Sequence, residues 1–211
     1  MWQFWVDRGG TFTDIVARQP DGELKTHKLL SENPEQYKDA AVQGIRELLN
    51  LKSGEKLPTG TISAVKMGTT VATNALLERK GDRTLLLTTA GFGDLLRIGY
   101  QNRPKLFDIN IQLPELLYER VVEVSERLDA EGNTVTPLVE DTARDALQAA
   151  YDDGIRGVAI AFMHGYLQPS HEKRVAEMAA QIGFTQISTS HQTSPLIKLV
   201  SRGDTTVVDA Y

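Results

Sequence analysis

The chain has 211 residues, of which 41% are hydrophobic and 24% charged, with a formal net charge of −5 and no cysteine. That length supports one large domain or two small ones with a substantial core, and the acidic balance argues against a nucleic-acid partner, which needs clustered Lys and Arg. The missing cysteines remove disulfides and thiolate chemistry and suit a cytoplasmic setting; the start lacks a signal-peptide pattern, and no stretch nears the ~20 apolar residues of a membrane helix.

The first element, Trp5-Val6-Asp7-Arg8-Gly9-Gly10-Thr11-Phe12-Thr13-Asp14-Ile15-Val16, reads as strand, tight glycine turn, strand. Two glycines allow a turn with positive φ and a close approach to a ligand. Peptide N–H groups pointing into such a bend make an anion site. The hydroxyls of Thr11 and Thr13 add donors, and Asp7 and Asp14 suit a phosphate that carries a divalent cation. The pattern therefore fits a nucleotide triphosphate with Mg²⁺; a plain hairpin accounts for the glycines alone and stays open.

A second turn at Gln19-Pro20-Asp21-Gly22 leads to a half-buried strand over residues 23–29, which completes an antiparallel meander. Asn33 is the expected N-cap of a helix with Pro34 at its first position and Tyr37, Ala41, Ile45, Leu48 and Leu49 on one stripe. A linker over 52–61 precedes a strand from Ile62 to Met67, with Gly68 as the turn, Thr69 or Thr70 as cap, and a helix from Val71 to Lys80 closed by Gly81. A strand entering a helix through Gly-Thr-Thr offers an anion site, while simple capping by the threonines is the other reading. With the apolar strand Thr84 to Thr89, this stretch is expected to form a β-α-β unit.

From Ala90 to Pro137 the pattern loosens. Arg97 and Arg103 are candidates to grip a carboxylate, or else solvated loop arginines. A turn at Ala130-Glu131-Gly132-Asn133 predicts a hairpin ending near Val135. Then come a helix over Glu140 to Tyr151 with Ala143, Leu147 and Ala150 inward, a buried strand over Gly157 to Met163, and a helix opened by Pro169-Ser170-His171-Glu172. His164 and His171 do not match a metal-ligand spacing. A short strand over Thr185 to Ser190, a helical pattern from Ser194, and Thr205 to Tyr211 ending in mid-pattern give the look of a truncated chain.

The two polar stretches, Asp7 to Asp14 and Met67 to Gly81, resemble the N-terminal region of the hydantoinase/oxoprolinase family, and through it the sugar-kinase, Hsp70 and actin superfamily of ATPases. The likeness continues through Gly91-Phe92, Leu106-Phe107-Asp108, Leu117-Tyr118-Glu119 and Phe162-Met163-His164-Gly165-Tyr166. It implies an α/β fold, mixed sheets with flanking helices, in the N-terminal part of an actin-like ATPase. Its expected parts are a phosphate-hairpin subdomain over 1–89, a loop and hairpin insertion over 90–137, and a second α/β unit over 138–211. Arg8 and Met67 are similar to the ATP-dependent 5-oxoprolinase branch: hydantoinase and acetone-carboxylase subunits usually carry Val or Ile at position 8, and hydantoinases more often have His at position 67.

The resemblance further implies that ATP phosphorylates the oxygen of a cyclic amide such as 5-oxo-L-proline, after which water opens the ring to glutamate. Asp7, Gly9, Gly10, Thr11, Thr13 and Asp14 are its expected nucleotide residues, with Asp7 at Mg²⁺. Arg8, Gly68, Thr69, Thr70 and Asn74 are expected at the substrate or γ-phosphate, and no catalytic base is assigned. The rest of a longer polypeptide, a hydantoinase B-like partner domain or chain, and a homo-oligomer are expected. The alternatives are an ATP-dependent hydantoinase of the A type, a component of acetone carboxylase type, and a non-catalytic nucleotide-binding or regulatory module.

Overall fold

The computed structural model describes residues 1–52, 54–101, 105 and 107–211. Arg103 and Leu106, named above, lie outside the described residues. The chain forms two compact units, Met1–Lys80 and Gly81–Tyr211. In both the architecture is α/β, with sheets flanked by helices.

The first unit contains β1 (Trp2–Arg8), β2 (Phe12–Arg18), β3 (Leu24–Leu30), α1 (Ala40–Leu48), β4 (Ile62–Thr69) and α2 (Val71–Glu78). The expected meander is present, and β4 adds to it in parallel beside β1, giving the order β3-β2-β1-β4. Alternation along β1 and β2 buries Phe4, Val6, Ile15 and Ala17, and Ala41 and Ile45 of α1 pack on that face. Burying each large aliphatic side chain contributes about 1.5–3 kcal/mol.

Helix α1 begins at Ala40, later than the Pro34 start expected. Asn33 closes a turn by accepting from the N–H groups of Gln36 and Tyr37, and the N-cap is Asp39, whose carboxylate accepts from Val42 N at 2.8 Å. The bonds at Asn33 are made by its backbone carbonyl, which any residue could offer, so the side-chain cap expected there is supplied by Asp39 instead. On the packed side, a Cβ on Gly44 would run into Ile15 and lie 3.1 Å from Leu29 Cδ2. Gly44→Ala is therefore expected to destabilise the unit by about 1–3 kcal/mol through overpacking, despite a helix-propensity gain of about 1 kcal/mol. Denaturant melts of the variant check this, and a stability equal to that of the parent would overturn it.

The second unit contains β5 (Thr84–Thr89), α3 (Leu95–Ile98), β6 (Arg120–Val124), β7 (Arg127–Leu128), β8 (Thr134–Thr136), α4 (Glu140–Asp152), β9 (Gly157–Ala161), α5 (Ser170–Ile182), β10 (Gln186–Thr189), α6 (Ser190–Thr193) and α7 (Leu199–Ala210). Its sheet has the order β10-β9-β5-β6, parallel throughout. Leu85, Leu87, Val158 and Ile160 meet α4 and α5 on one face, while Leu86, Ala159 and Ala161 meet α7 on the other. Coverage of both faces explains why β9 reads as an unbroken apolar run and β5 is apolar through its middle, Leu85 to Leu87, with every residue buried.

The β-α-β unit expected over 62–89 is not formed. β4 pairs with β1, whereas β5 lies in the other sheet between β9 and β6. A strand, a helix and a strand in succession do not state which sheet each strand joins. The stretch from Ala90 also supplies β6, an edge of the parallel sheet rather than part of a loop insertion. The hairpin at 130–133 is present as β7 and β8. Helix α4 buries the three residues expected of it, Ala143, Leu147 and Ala150. The last helix starts at Leu199 rather than Ser194. No helix of the described residues is long and apolar enough to cross a membrane.

Candidate functional site

The β1–β2 hairpin sets Arg8 opposite Thr13 and Asp7 opposite Asp14, with Gly9, Gly10 and Thr11 closing the bend. Gly9 N donates to Phe12 O at 3.0 Å. The expected positive φ is absent: neither Gly9 nor Gly10 adopts it, whereas Gly22 in the following turn does, at +95°. Space is limited at both, against backbone at Gly9 and against a side-chain end at Gly10. A Cβ on Gly9 would sit 3.0 Å from Phe12 O, and one on Gly10 would sit 3.1 Å from Asn74 Nδ2.

Parallel pairing of β1 with β4 brings up the second polar stretch, with Gly68 beside Asp7 and Thr69 beside Arg8. Gly68 is thus a strand residue rather than a turn. Thr69 Oγ1 donates to Arg8 O at 2.9 Å and accepts from Val71 N at 3.2 Å, and Thr70 N donates to the same carbonyl at 3.2 Å. Thr70 occupies the N-cap of α2 without a side-chain cap bond. The left-handed residue closing α2 is Arg79, at φ 55°, rather than Gly81.

An open cavity of about 520 Å³ lies against the bend, lined in part by Gly10, Thr11, Glu32, Asn74, Glu78 and Lys80. Among the described residues no acceptor is found for the N–H of Gly10 or Thr11. Lys80 Nζ is 2.6 Å from Glu78, and that hydrogen bond raises its pKa. The two backbone donors can receive an anion, while the Lys80 ammonium is held by Glu78 and the Glu32 and Glu78 carboxylates line the same cavity; the space at Gly10 is one that a Cβ would enter.

Asp7 and Asp14, as register partners, project on one face of the sheet, where a second cavity of about 360 Å³ is lined in part by Trp5, Asp7, Asp14, Val16, Lys66 and Gly68. Lys28 Nζ holds Asp14 at 2.8 and 3.0 Å. Asp7 has no side-chain partner among the described residues, so its carboxylate suits a hydrated divalent cation. Arg8 alternates to the other face, where Nη1 lies 3.5 Å from the Asp39 carboxylate. Thr13 is fully buried under the bend. The residues singled out in the sequence therefore separate into Gly10, Thr11 and Asn74 at one cavity, Asp7, Asp14 and Gly68 at another, Arg8 beside α1, and Thr13 below.

A second polar cluster, absent from the sequence reading, lies in the other unit. Glu172 and Arg202 are both fully buried. The Glu172 carboxylate accepts from Phe162 N at 2.9 Å, His191 N at 3.0 Å, His191 Nδ1 at 2.7 Å and the Ser190 hydroxyl. Arg202 Nη1 stands 3.4 Å from Glu172, and Nη2 donates to Phe162 O at 2.9 Å. Burial pushes the Arg202 guanidinium below its ordinary pKa, and Glu172 opposes that. The legible signal was Arg202 on the buried stripe of α7 with Leu199, Gly203, Thr206 and Val207, where a charge demands a partner.

Fold and site together define an α/β protein whose first sheet ends in a glycine bend beside a cavity, with the Gly10 and Thr11 amides lacking an acceptor among the described residues. The chain belongs to the hydantoinase/oxoprolinase family: the family model for the hydantoinase/oxoprolinase N-terminal region matches residues 3–183. It is 43% identical, over 99% of its length, to a 5-oxoprolinase of Dictyostelium discoideum, and 43% identical to 5-oxoprolinase 1 of Arabidopsis thaliana. It spans 19% of the length of each of these relatives. Among solved structures, the ATP-dependent caprolactamase from Pseudomonas jessenii superposes with a TM-score of 0.77 at 27% identity, covering 99% of this chain and 31% of that one. Nucleotide-free acetone carboxylase gives a TM-score of 0.79 at 24% identity, covering 99% and 32%, a likeness of fold.

Proposed function

We propose that the chain supplies the phosphate-holding N-terminal part of an ATP-dependent 5-oxoprolinase, which hydrolyses 5-oxo-L-proline to L-glutamate coupled to ATP cleavage. The observation that supports this reading is that the amides of Gly10 and Thr11, beside the cavity, have no acceptor among the described residues. Its choice of substrate rests on the 43% identity to 5-oxoprolinases, and a lactam substrate is in keeping with the likeness to an ATP-dependent caprolactamase.

A lactam is resonance-stabilised and a poor electrophile, and phosphorylating its oxygen makes the carbonyl carbon open to water. Catalysis of such a transfer is chiefly positioning and charge neutralisation. In this reading the Gly9-Gly10-Thr11 backbone holds phosphate oxygens, and Asn74 and Thr69 orient the γ-phosphate or lactam end with Gly68 and Thr70. Asp7 would hold Mg²⁺ or its waters, which requires the phosphate chain to extend round the bend from the cavity at Gly10 to the one at Asp7; an ion there would neutralise phosphate charge. Among the described residues no three histidine or acidic side chains gather as a ready-made metal site, so a cation at Asp7 would take further ligands from phosphate and water. Thr13 and Asp14 brace the hairpin. Arg8, held by Asp39, is assigned to the substrate carboxylate. A longer polypeptide, a hydantoinase B-like partner, a homo-oligomeric state and a cytoplasmic location complete the proposal.

The test is ADP release by the whole protein, titrated with 5-oxo-L-proline, hydantoin and caprolactam. Release stimulated by 5-oxo-L-proline is expected. Stimulation by hydantoin alone would move the assignment to a hydantoinase, and calorimetry finding no Mg·ATP binding would sink the phosphate site itself.

A further inference from the structure

The glycine bend is held from beneath by one side chain. Ser31 directly follows β3 and is buried. Its N–H donates to Thr11 O at 2.9 Å, its hydroxyl donates to Gly9 O at 2.7 Å, and the same oxygen lies 3.0 Å from Thr13 Oγ1. A serine hydroxyl has a single proton. Since that proton goes to Gly9 O, the Thr13 hydroxyl is the donor in the second contact. The result is a directed chain from Thr13 O–H to Ser31 O–H to the Gly9 carbonyl.

The Gly9 carbonyl belongs to the same peptide group as the Gly10 N–H. No cis peptide bond occurs among the described residues, and in a trans peptide the C=O and N–H point in opposite directions. A Gly9 oxygen drawn towards Ser31 therefore turns the Gly10 N–H away from Ser31. Linked hydrogen bonds also polarise one another, so an accepting carbonyl makes the N–H of its own peptide a stronger donor. The Thr11 carbonyl is taken by the same residue. Two oxygens that would repel an anion at this bend are thus both occupied on the buried side.

We propose that Ser31, backed by Thr13, is the positioning residue that aims the Gly9–Gly10 peptide at phosphate, an inference that rests on the nucleotide reading above. Two buried hydroxyls used merely as filler would cost desolvation that an apolar pair avoids. Here their polarity is directed to one carbonyl at the bend. Neither side chain touches the ligand, and both act through the backbone.

The experiment compares the whole protein with its Ser31→Ala and Ser31→Thr variants. Ser31→Ala is expected to raise the Kd and KM for Mg·ATP about tenfold, as loss of one hydrogen bond and its alignment implies, while the KM for 5-oxo-L-proline at saturating ATP stays within about twofold. Ser31→Thr, which keeps the hydroxyl, is expected to restore nucleotide affinity. Parent-like Mg·ATP affinity in Ser31→Ala overturns the proposal, as does a parallel rise in both KM values, the mark of a merely structural role. If Ser31→Ala does not fold, Thr13→Val breaks the chain one link back: weaker Mg·ATP binding supports the proposal and unchanged binding overturns it. A parent protein that binds no Mg·ATP would instead remove the nucleotide reading, so the two failures are told apart.

Discussion

Replacing Gly10 with valine is expected to abolish ATP turnover by the whole protein, a fall on the order of 10²-fold or more, because the new side chain keeps phosphate from reaching the Gly10 N–H, which costs about as much as losing one preorganised donor at a charged centre. The first new atom already sits 3.1 Å from Asn74 Nδ2. The two methyl groups beyond it enter the cavity that Gly10, Thr11 and Asn74 share. Because Gly10 is exposed and does not need a positive φ, the fold should tolerate the change. ADP release and a thermal melt on the same preparation read both halves of the expectation. A variant with unchanged turnover, or one that loses activity only because it unfolds, would remove Gly10 from its assigned role.

Truncating Glu172 to alanine is expected to be the most damaging single change in the second unit, about 3–5 kcal/mol, because it strands a buried cation. Glu172 accepts from backbone N–H groups of both Phe162 and His191, so its loss also leaves donors unsatisfied at the ends of β9 and β10. The pair is not proof of added stability, since a well-packed apolar replacement of both partners is often neutral. A double-mutant cycle with Glu172→Gln and Arg202→Met, followed by denaturant melts, separates these effects. The double variant is expected to be more stable than the sum of the two single losses. Strict additivity would show that the two side chains do not act together.

The sequence was most informative where a local rule has a single structural solution. Period-two alternation and the Gly-Gly and Pro-Asp-Gly turns sufficed for the meander, since a half-buried strand has only one way to present Phe4, Val6, Ile15 and Ala17 to a helix. The apolar middle of Thr84–Thr89 and the apolar run Gly157–Ala161 announced strands covered on both faces, and the Ala143, Leu147 and Ala150 stripe of α4 came out as expected. The family was likewise legible, because two long polar motifs in order are seldom matched by chance.

Questions of partnership were decided only by the tertiary structure. Whether β4 joins β5 or β1 depends on which edge is free, and nothing in Ile62 to Thr89 states that, so the expected β-α-β unit gave way to two separate sheets. The site residues were legible as a set but not in their division. Successive side chains on a strand point to opposite faces, so Arg8 leaves Asp7 and turns towards Asp39, while Thr13 drops beneath the bend. Glycines chosen for close approach rather than for φ, a serine 22 residues from the carbonyl it holds, and a buried glutamate paired with an arginine 30 residues away share one physical reason. Each meets its partner through the packing of elements distant in the chain, and periodicity along the chain carries no record of that.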